Sequence, residues 1–380
     1  MFKKSLVAVA ALATFSAGAM AANVELYGVV DMGFSYTHTS HQEKGDKFEM
    51  SQNMYAGSRF GFRGTEDLGD DLTVGFILEN GFTPDTGAMA VSDTIFNRES
   101  QLYLKGSWGQ LGFGRVGAFT SGSSSLGWYW DLEPFETGYI DAGVQASQVN
   151  VWRLNSNTVY YISPVFAGFK VGAQYSMTGA ADPSVQEDSR WSENNNFGNV
   201  ALRWDGANAR AILGVEWDKY GKAEQGQRDD AWSVKLAGAW VPNGGAVTLY
   251  AGASWYKNQD RFSDSTYDDD GFLTDYYDES GKRLDAYSFF VGGKYTVGAA
   301  NWLAMFQYLD GENKGAIDGA PEKDFKRYIA SVGCHYYFSK RTMLYTIASF
   351  ADGDGIFDTV KHDDGGGAKS DRFMAHVGLT

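Results

Sequence analysis

From residue 24 onward the chain is written in twos. Val247, Leu249, Ala251, Ala253 and Trp255 share one face of an extended segment, with Thr248, Tyr250, Gly252, Ser254 and Tyr256 on the other. Trp232, Val234, Leu236, Gly238 and Trp240 oppose Ser233, Lys235, Ala237 and Ala239 in the same way. Phe169, Val171, Ala173 and Tyr175 likewise oppose Lys170, Gly172 and Gln174. Such alternation marks a strand with a single apolar face, and turn residues punctuate it throughout. It predicts about sixteen strands, starting near residues 24, 57, 72, 98, 110, 153, 168, 197, 209, 231, 246, 286, 302, 327, 342 and 372.

The connections alternate in length. Residues 67–70, 205–208, 242–245 and 298–301 make tight turns, whereas long polar stretches lie near 38–55, 83–97, 117–150, 177–196, 258–285, 310–325 and 351–371. Short turns at one rim and long loops at the other describe a transmembrane antiparallel β-barrel. Aromatic residues mark both strand ends: Trp204, Trp240, Trp302 and Phe338 flank tight turns, and Trp217, Trp255, Tyr287, Tyr308 and Tyr328 lie at the loop ends. Two aromatic belts are what the two membrane interfaces select.

Composition fits this all-β reading. Aromatics reach 15% of 380 residues, with 47 Gly and only 6 Pro. A soluble protein would bury so many rings under apolar runs, and those runs are missing. The exception is the start: Lys3 and Lys4, an apolar stretch from Ser5 to Ser16 and Ala19-Met20-Ala21 form a secretory leader. Residues 1–21 are expected to be removed, leaving 22–380 as the barrel and a net charge of −17 on 359 residues. That charge argues against nucleic acid as a partner. The one cysteine, Cys334, excludes a disulfide framework and is expected to pack on a lipid-facing strand position.

Little local chemistry stands out. Gly112-Phe113-Gly114-Arg115-Val116-Gly117 fits a dinucleotide pattern literally, but that pattern opens a helix and the following residues read as loop. His38, His41, His335, His362 and His376 lack metal-ligand spacing, and no nucleophile signature accompanies them. No catalytic residue, metal site or cofactor is expected. Thr266-Tyr267-Asp268-Asp269-Asp270-Gly271 departs from a calcium loop at its first position, and Tyr277 stands where the closing Glu belongs. Loose divalent cations bridging loops or lipopolysaccharide are the remaining expectation.

Several strings resemble the general diffusion porins of Gram-negative bacteria over essentially the whole chain after the leader. They are Leu26-Tyr27-Gly28-Val29-Val30-Asp31, Ser58-Arg59-Phe60-Gly61-Phe62-Arg63-Gly64-Thr65-Glu66-Asp67-Leu68-Gly69, Phe96-Asn97-Arg98, Gly112-Phe113-Gly114-Arg115, Ser163-Pro164-Val165-Phe166-Ala167-Gly168-Phe169 and Phe338-Ser339-Lys340-Arg341-Thr342. The resemblance implies a homotrimer of 16-stranded barrels in the outer membrane. In each, the third long loop folds inward, so that small hydrophilic solutes and ions pass between basic wall residues and acidic loop residues. The family closes on a strand ending in an aromatic residue, whereas this chain stops at Gly378-Leu379-Thr380.

Carried onto this sequence, the wall residues are Arg59, Arg63, Arg98 and Arg153, and the constriction loop is 117–138 with Asp131, Glu133 and Glu136 as its acids. Alternation supports Arg59 and Arg63: if Phe60 and Phe62 face lipid, both arginines face the lumen. A charge on the lipid side at mid-depth would cost about 2–4 kcal/mol. Alternation opposes Arg98, which shares a face with Leu102 and Leu104, and Arg153, which shares one with Val159 and Tyr161. The loop leaves open whether Glu133 or Glu136 faces the arginines. These arginines imply anion preference despite the acidic chain, because the field is focused where the pore is narrow. Two rival readings remain, a sugar- or anion-selective channel and a barrel enzyme or adhesin. Inward Tyr250, Tyr256 and Phe290 would suit the first.

Overall fold

The structure is a computed structural model describing residues 23–40, 45–140, 142–177, 195–221, 228–242, 245–260, 262, 280–316, 323–357, 360–361, 367–368 and 371–380. The expected leader, 1–21, lies outside them. No helix among these residues is long and apolar enough to cross a membrane; strands do the crossing.

Nineteen hydrogen-bonded segments form one sheet among the described residues. Two staves are interrupted, and Ala88–Met89 is a two-residue piece within a loop, so the barrel has sixteen staves. Stave β1 comprises Asn23–Val29 and Met32–Thr39, and β2 comprises Asp46–Gln52 and Arg59–Gly69. There follow β3 (Leu72–Thr83), β4 (Glu99–Gly106), β5 (Gly109–Gly117), β6 (Leu154–Ile162), β7 (Phe169–Ser176) and β8 (Asn196–Asp205). Then come β9 (Ala209–Lys219), β10 (Ala231–Trp240), β11 (Val247–Gln259) and β12 (Leu284–Val297). The last are β13 (Ala300–Asn313), β14 (Asp324–Ser339), β15 (Thr342–Asp354) and β16 (Arg372–Leu379). Each stave pairs antiparallel with the next. The ring closes because β16 pairs with β15, Leu344 opposite Leu379, and also with β1, Met32 opposite Leu379. Closure spans Met32–Thr39, whereas Asn23–Val29 pairs with Arg59–Gly69 alone among the described residues.

Alternation translates directly into faces. Phe60 and Phe62 are exposed on the outside of β2, as are Leu236 and Trp240 on β10 and Leu249 and Trp255 on β11. The belts are physical neighbours across the sheet. Trp217 stacks on Trp232 and Tyr308 meets Tyr328 toward the long loops, while Phe169 meets Trp204 and Tyr336 meets Phe338 at the tight-turn rim. Cys334 lies opposite Trp302, on the outward face.

The early part of the chain differs from its sequence reading. Residues 46–52, expected as loop, are strand, with Phe48 and Met50 facing out. The interruption comes later, at 53–58, where the chain leaves the wall and turns inward. Asp31, at the matching break in β1, is fully buried and holds this insertion: its Oδ2 accepts the Tyr55 and Ala56 N–H groups, each at 2.7 Å. Its Oδ1 accepts the Tyr345 hydroxyl at 2.7 Å. Residues 112–117, the dinucleotide look-alike, are the end of β5 and lead into loop.

Candidate pore constriction

The long connection from Gly117 to Leu154 folds into the barrel because its composition would be wrong anywhere else. Phe119, Trp128, Tyr129, Leu132, Phe135, Tyr139 and Val144 are all buried. They pack on inward-facing Tyr160, Ile212, Tyr250, Phe290, Leu303, Met305 and Ile347 of the wall. Each large apolar side chain so covered contributes about 1.5–3 kcal/mol. The wall makes room with glycines: a Cβ at Gly292 would sit 2.7 Å from Pro134, and one at Gly172 would sit 2.8 Å from Phe119. The inward aromatics Tyr250, Tyr256 and Phe290 are therefore buried, and they do not line the bore.

Polar anchors fix the loop's position. Lys235 of β10 and Glu216 of β9 form an ion pair at 3.1 Å, with side chains 0% and 1% exposed. Lys235 also donates to the Val149 carbonyl at 2.7 Å. Glu216 accepts from Asn150 and Ser233, each at 2.8 Å, and from the Thr120 hydroxyl. Asp131 takes a bidentate bond from Arg203 of β8, both legs 2.9 Å, and an ion pair from Arg210 of β9 at 2.8 Å. Farther round, Tyr139 is hydrogen-bonded to His335 of β14 at 2.8 Å, and its N–H donates to the Met54 carbonyl of the 53–58 insertion.

Beyond these anchors, the inner faces of β1 to β4 carry a second group of charges. Arg59 lies on the inner face of β2, 3.2 Å from Glu79 of β3, and Arg98 reaches the other oxygen of that carboxylate at 2.6 Å. Tyr27 of β1 donates to Glu79 at 3.0 Å. Two guanidiniums thus share one carboxylate. The objection from alternation dissolves for Arg98, which precedes the first residue of β4 and is not bound by that strand's parity. On the loop, Glu136 accepts a hydrogen bond from Tyr55 of the insertion at 2.5 Å.

The other expected residues sit elsewhere. Glu133 is sealed inside the loop and cannot face the arginines; this corrects the expectation. Its carboxylate caps the following turn, accepting from the Phe135 N–H at 2.7 Å and from the Thr137 N–H. Burial pushes its pKa up to about 8. The turn it caps carries Glu136, Thr137, Tyr139 and Ile140 all at positive φ, a conformation non-glycine residues adopt only under constraint. Arg153 precedes β6 and is bound to Asp218 of β9 at 2.6 and 3.1 Å, with its guanidinium over Phe197. It joins the loop's returning limb and not the Arg59 group. Arg63 faces inward, as alternation requires, but lies closer to the tight turn, 54% exposed and paired with Glu25 at 2.7 Å. Asp131 is an anchor to Arg203 and Arg210.

Sequence reasoning did not single out Glu79, Tyr55, Arg203, Arg210, Glu216 or Lys235. Parity could have flagged Arg203, flanked by lipid-facing Leu202 and Trp204, and Lys235, already opposite Val234 and Leu236. Nothing local marks their partners, 72 residues away for Arg203 and Asp131.

A closed sixteen-stave barrel, apolar and belted outside, with a loop folded into its charged interior, defines a transmembrane diffusion channel. The sequence profile described as Gram-negative porin matches residues 8–355. An outer membrane porin protein of Bordetella pertussis is 31% identical, covering 94% of this chain and 97% of that one. Outer membrane porin protein 32 of Delftia acidovorans is 35% identical over 46% of this chain and 49% of its own. Among solved structures, an anion-selective porin from Comamonas acidovorans superposes with a TM-score of 0.66 at 22% identity, covering 94% and 99% of the two chains. The chain belongs to the Gram-negative porin family. It is an outer-membrane channel for passive diffusion and not an enzyme.

Proposed function

We propose that this porin sorts small hydrophilic solutes by charge, with a preference for anions, at an eyelet made by Arg59, Arg98 and Glu79 on the wall and Glu136 on the loop. The observation that carries this reading is the unequal access of the charges to water. Arg59 is 25% exposed, whereas Glu79, which serves both arginines, is 6% exposed. Glu133, with its pKa near 8, is mainly protonated at neutral pH. On the wall, positive charge therefore borders the water path with its shared carboxylate set behind it, and Glu136 is the one loop acid of the eyelet that stays partly exposed. In a narrow passage with low-dielectric walls such a field is poorly screened. Charges at the outer loops are damped within about 8–10 Å. The acidic chain as a whole therefore has little say in selectivity.

The test is the reversal potential of the reconstituted channel in a KCl gradient. An anion-selective sign supports the reading; a cation-selective sign overturns it. We also propose that the channel works as a homotrimer, as the family resemblance implies. Cross-linking in mild detergent should give three chains per particle, and a monomer alone would reject this.

A further inference from the structure

Toward the long-loop end the inner surface holds a recess of about 490 Å³. Its floor is the returning limb of the inner loop. Its sides are Asn195 just before β8, Asp218 of β9, Tyr220 and Arg228 between β9 and β10, and Gln259 and Asp260 at the end of β11. This volume falls within the range of small-molecule sites, about 300–1,000 Å³.

Its charges are largely spent on one another. Arg153 is bound bidentately by Asp218, and Arg228 reaches Asp260 at 2.5 Å with its guanidinium stacked 3.5 Å from the Tyr220 ring centroid. Arg115 is held by the Asn97 carbonyl at 2.6 Å and the Ser156 hydroxyl at 2.8 Å. An anionic or cationic solute would have to compete with these partners. Gln145, Gln148, Asn150, Asn195 and Gln259 also line it beside Trp152, and some of their amide groups are engaged, Asn150 Nδ2 by Glu216 and Gln259 Nε2 by the Trp232 carbonyl. Each amide presents a donor and an acceptor.

Two buried polar atoms in this lining have no hydrogen-bond partner. One is an acceptor, Gln148 Oε1, on a buried side chain whose Nε2 donates to the Tyr129 hydroxyl at 3.0 Å. The other is a donor, Arg228 Nε. Leaving such atoms unmatched is costly. A carboxylate would satisfy only the donor and an ammonium only the acceptor, whereas hydroxyl groups satisfy both.

We propose that this recess is a binding station for a neutral, polyhydroxylated solute of mono- to disaccharide size, held by the amides and Arg228 with Trp152 as an apolar wall. The station is separate from the charge filter and would concentrate such solutes on one side of it.

Maltose is the probe, with maltobionate as its anionic counterpart, added to single reconstituted channels while ion current is recorded. Current reduction by maltose should saturate, and each variant is scaled to its own sugar-free current. Gln148→Leu and Arg228→Lys should each raise the half-blocking concentration by about fivefold or more, as loss of one matched hydrogen bond implies. The second substitution keeps the positive charge while removing Nε, so it guards against a folding defect in the first. A current that falls only linearly with maltose, a saturable block unchanged in both variants, or saturation by maltobionate alone would overturn the proposal.

Discussion

Two carboxylates on the barrel's inner face, Glu79 on β3 and Glu216 on β9, both hold cations, and their surroundings give them opposite uses. Glu216 and Lys235 lie under the loop with no contact with solvent, surrounded by Thr120, Asn150, Ser233 and the Val149 carbonyl. Glu79 bridges Arg59 and Arg98 beside the water path, and Arg59 remains partly wet. The dry pair is internally neutralised, and its bonds to Thr120, Val149 and Asn150 hold the loop to the wall. The wet group is less enclosed, and in the eyelet we propose it is this guanidinium charge that acts on passing ions. On that proposal, one barrel separates anchoring from filtering by where the loop excludes water.

The comparison breaks most visibly if the dry pair is cut. Lys235→Met leaves the Glu216 carboxylate buried without its cation, a change that costs about 3–5 kcal/mol. We expect a lower unfolding midpoint in urea and larger, noisier conductance as the loop loses its hold. Adding Glu216→Leu should recover much of the loss. A single variant as stable as the parent would refute the anchor.

A smaller effect should come from the loop's own buried acid. The folded-state pKa of Glu133, about 8, is raised above its unfolded value of about 4.3. Its contribution is therefore fully present below the unfolded value and is lost as pH rises through about 8. Channel noise and protease access to the loop should increase across that window. In Glu133→Gln the increase should flatten, and an unchanged pH profile in that variant would argue against the buried acid.

Smallest is the clasp between the 53–58 insertion and the loop tip. Tyr55→Phe removes one hydrogen bond to a carboxylate, about 1.5–3 kcal/mol, while the Tyr139–His335 bond still holds the tip. More frequent brief conductance steps with an unaltered main level are expected. Complete loop release would mean that the remaining anchors are weaker than their geometry implies.

These regions were unequally legible from sequence. Stave positions followed from alternation because the bilayer enforces it: a residue such as Phe60 cannot trade faces with Arg59 without moving charge into hydrocarbon. Arg98 and Arg153 defeated that rule because each lies immediately before its stave, where parity has no hold. Residues 46–52 were missed because their charges, Lys47 and Glu49, masked the outward pair Phe48 and Met50. The choice between Glu133 and Glu136 rests on which side of one tight turn each occupies, and composition does not record that. The pairs formed by Asp131, Thr120 and Asn150 with the wall are set by how the loop is draped, a property of the whole barrel.

The central claim is that positive charge beside the water path, trimmed by one shared carboxylate, sets selectivity. Reversal potentials of Arg59→Ala and Glu79→Gln in the same KCl gradient test it most directly. Arg59→Ala should move the potential toward cation preference, and Glu79→Gln should move it toward stronger anion preference. No shift in either variant, or shifts of the same sign in both, would contradict the account.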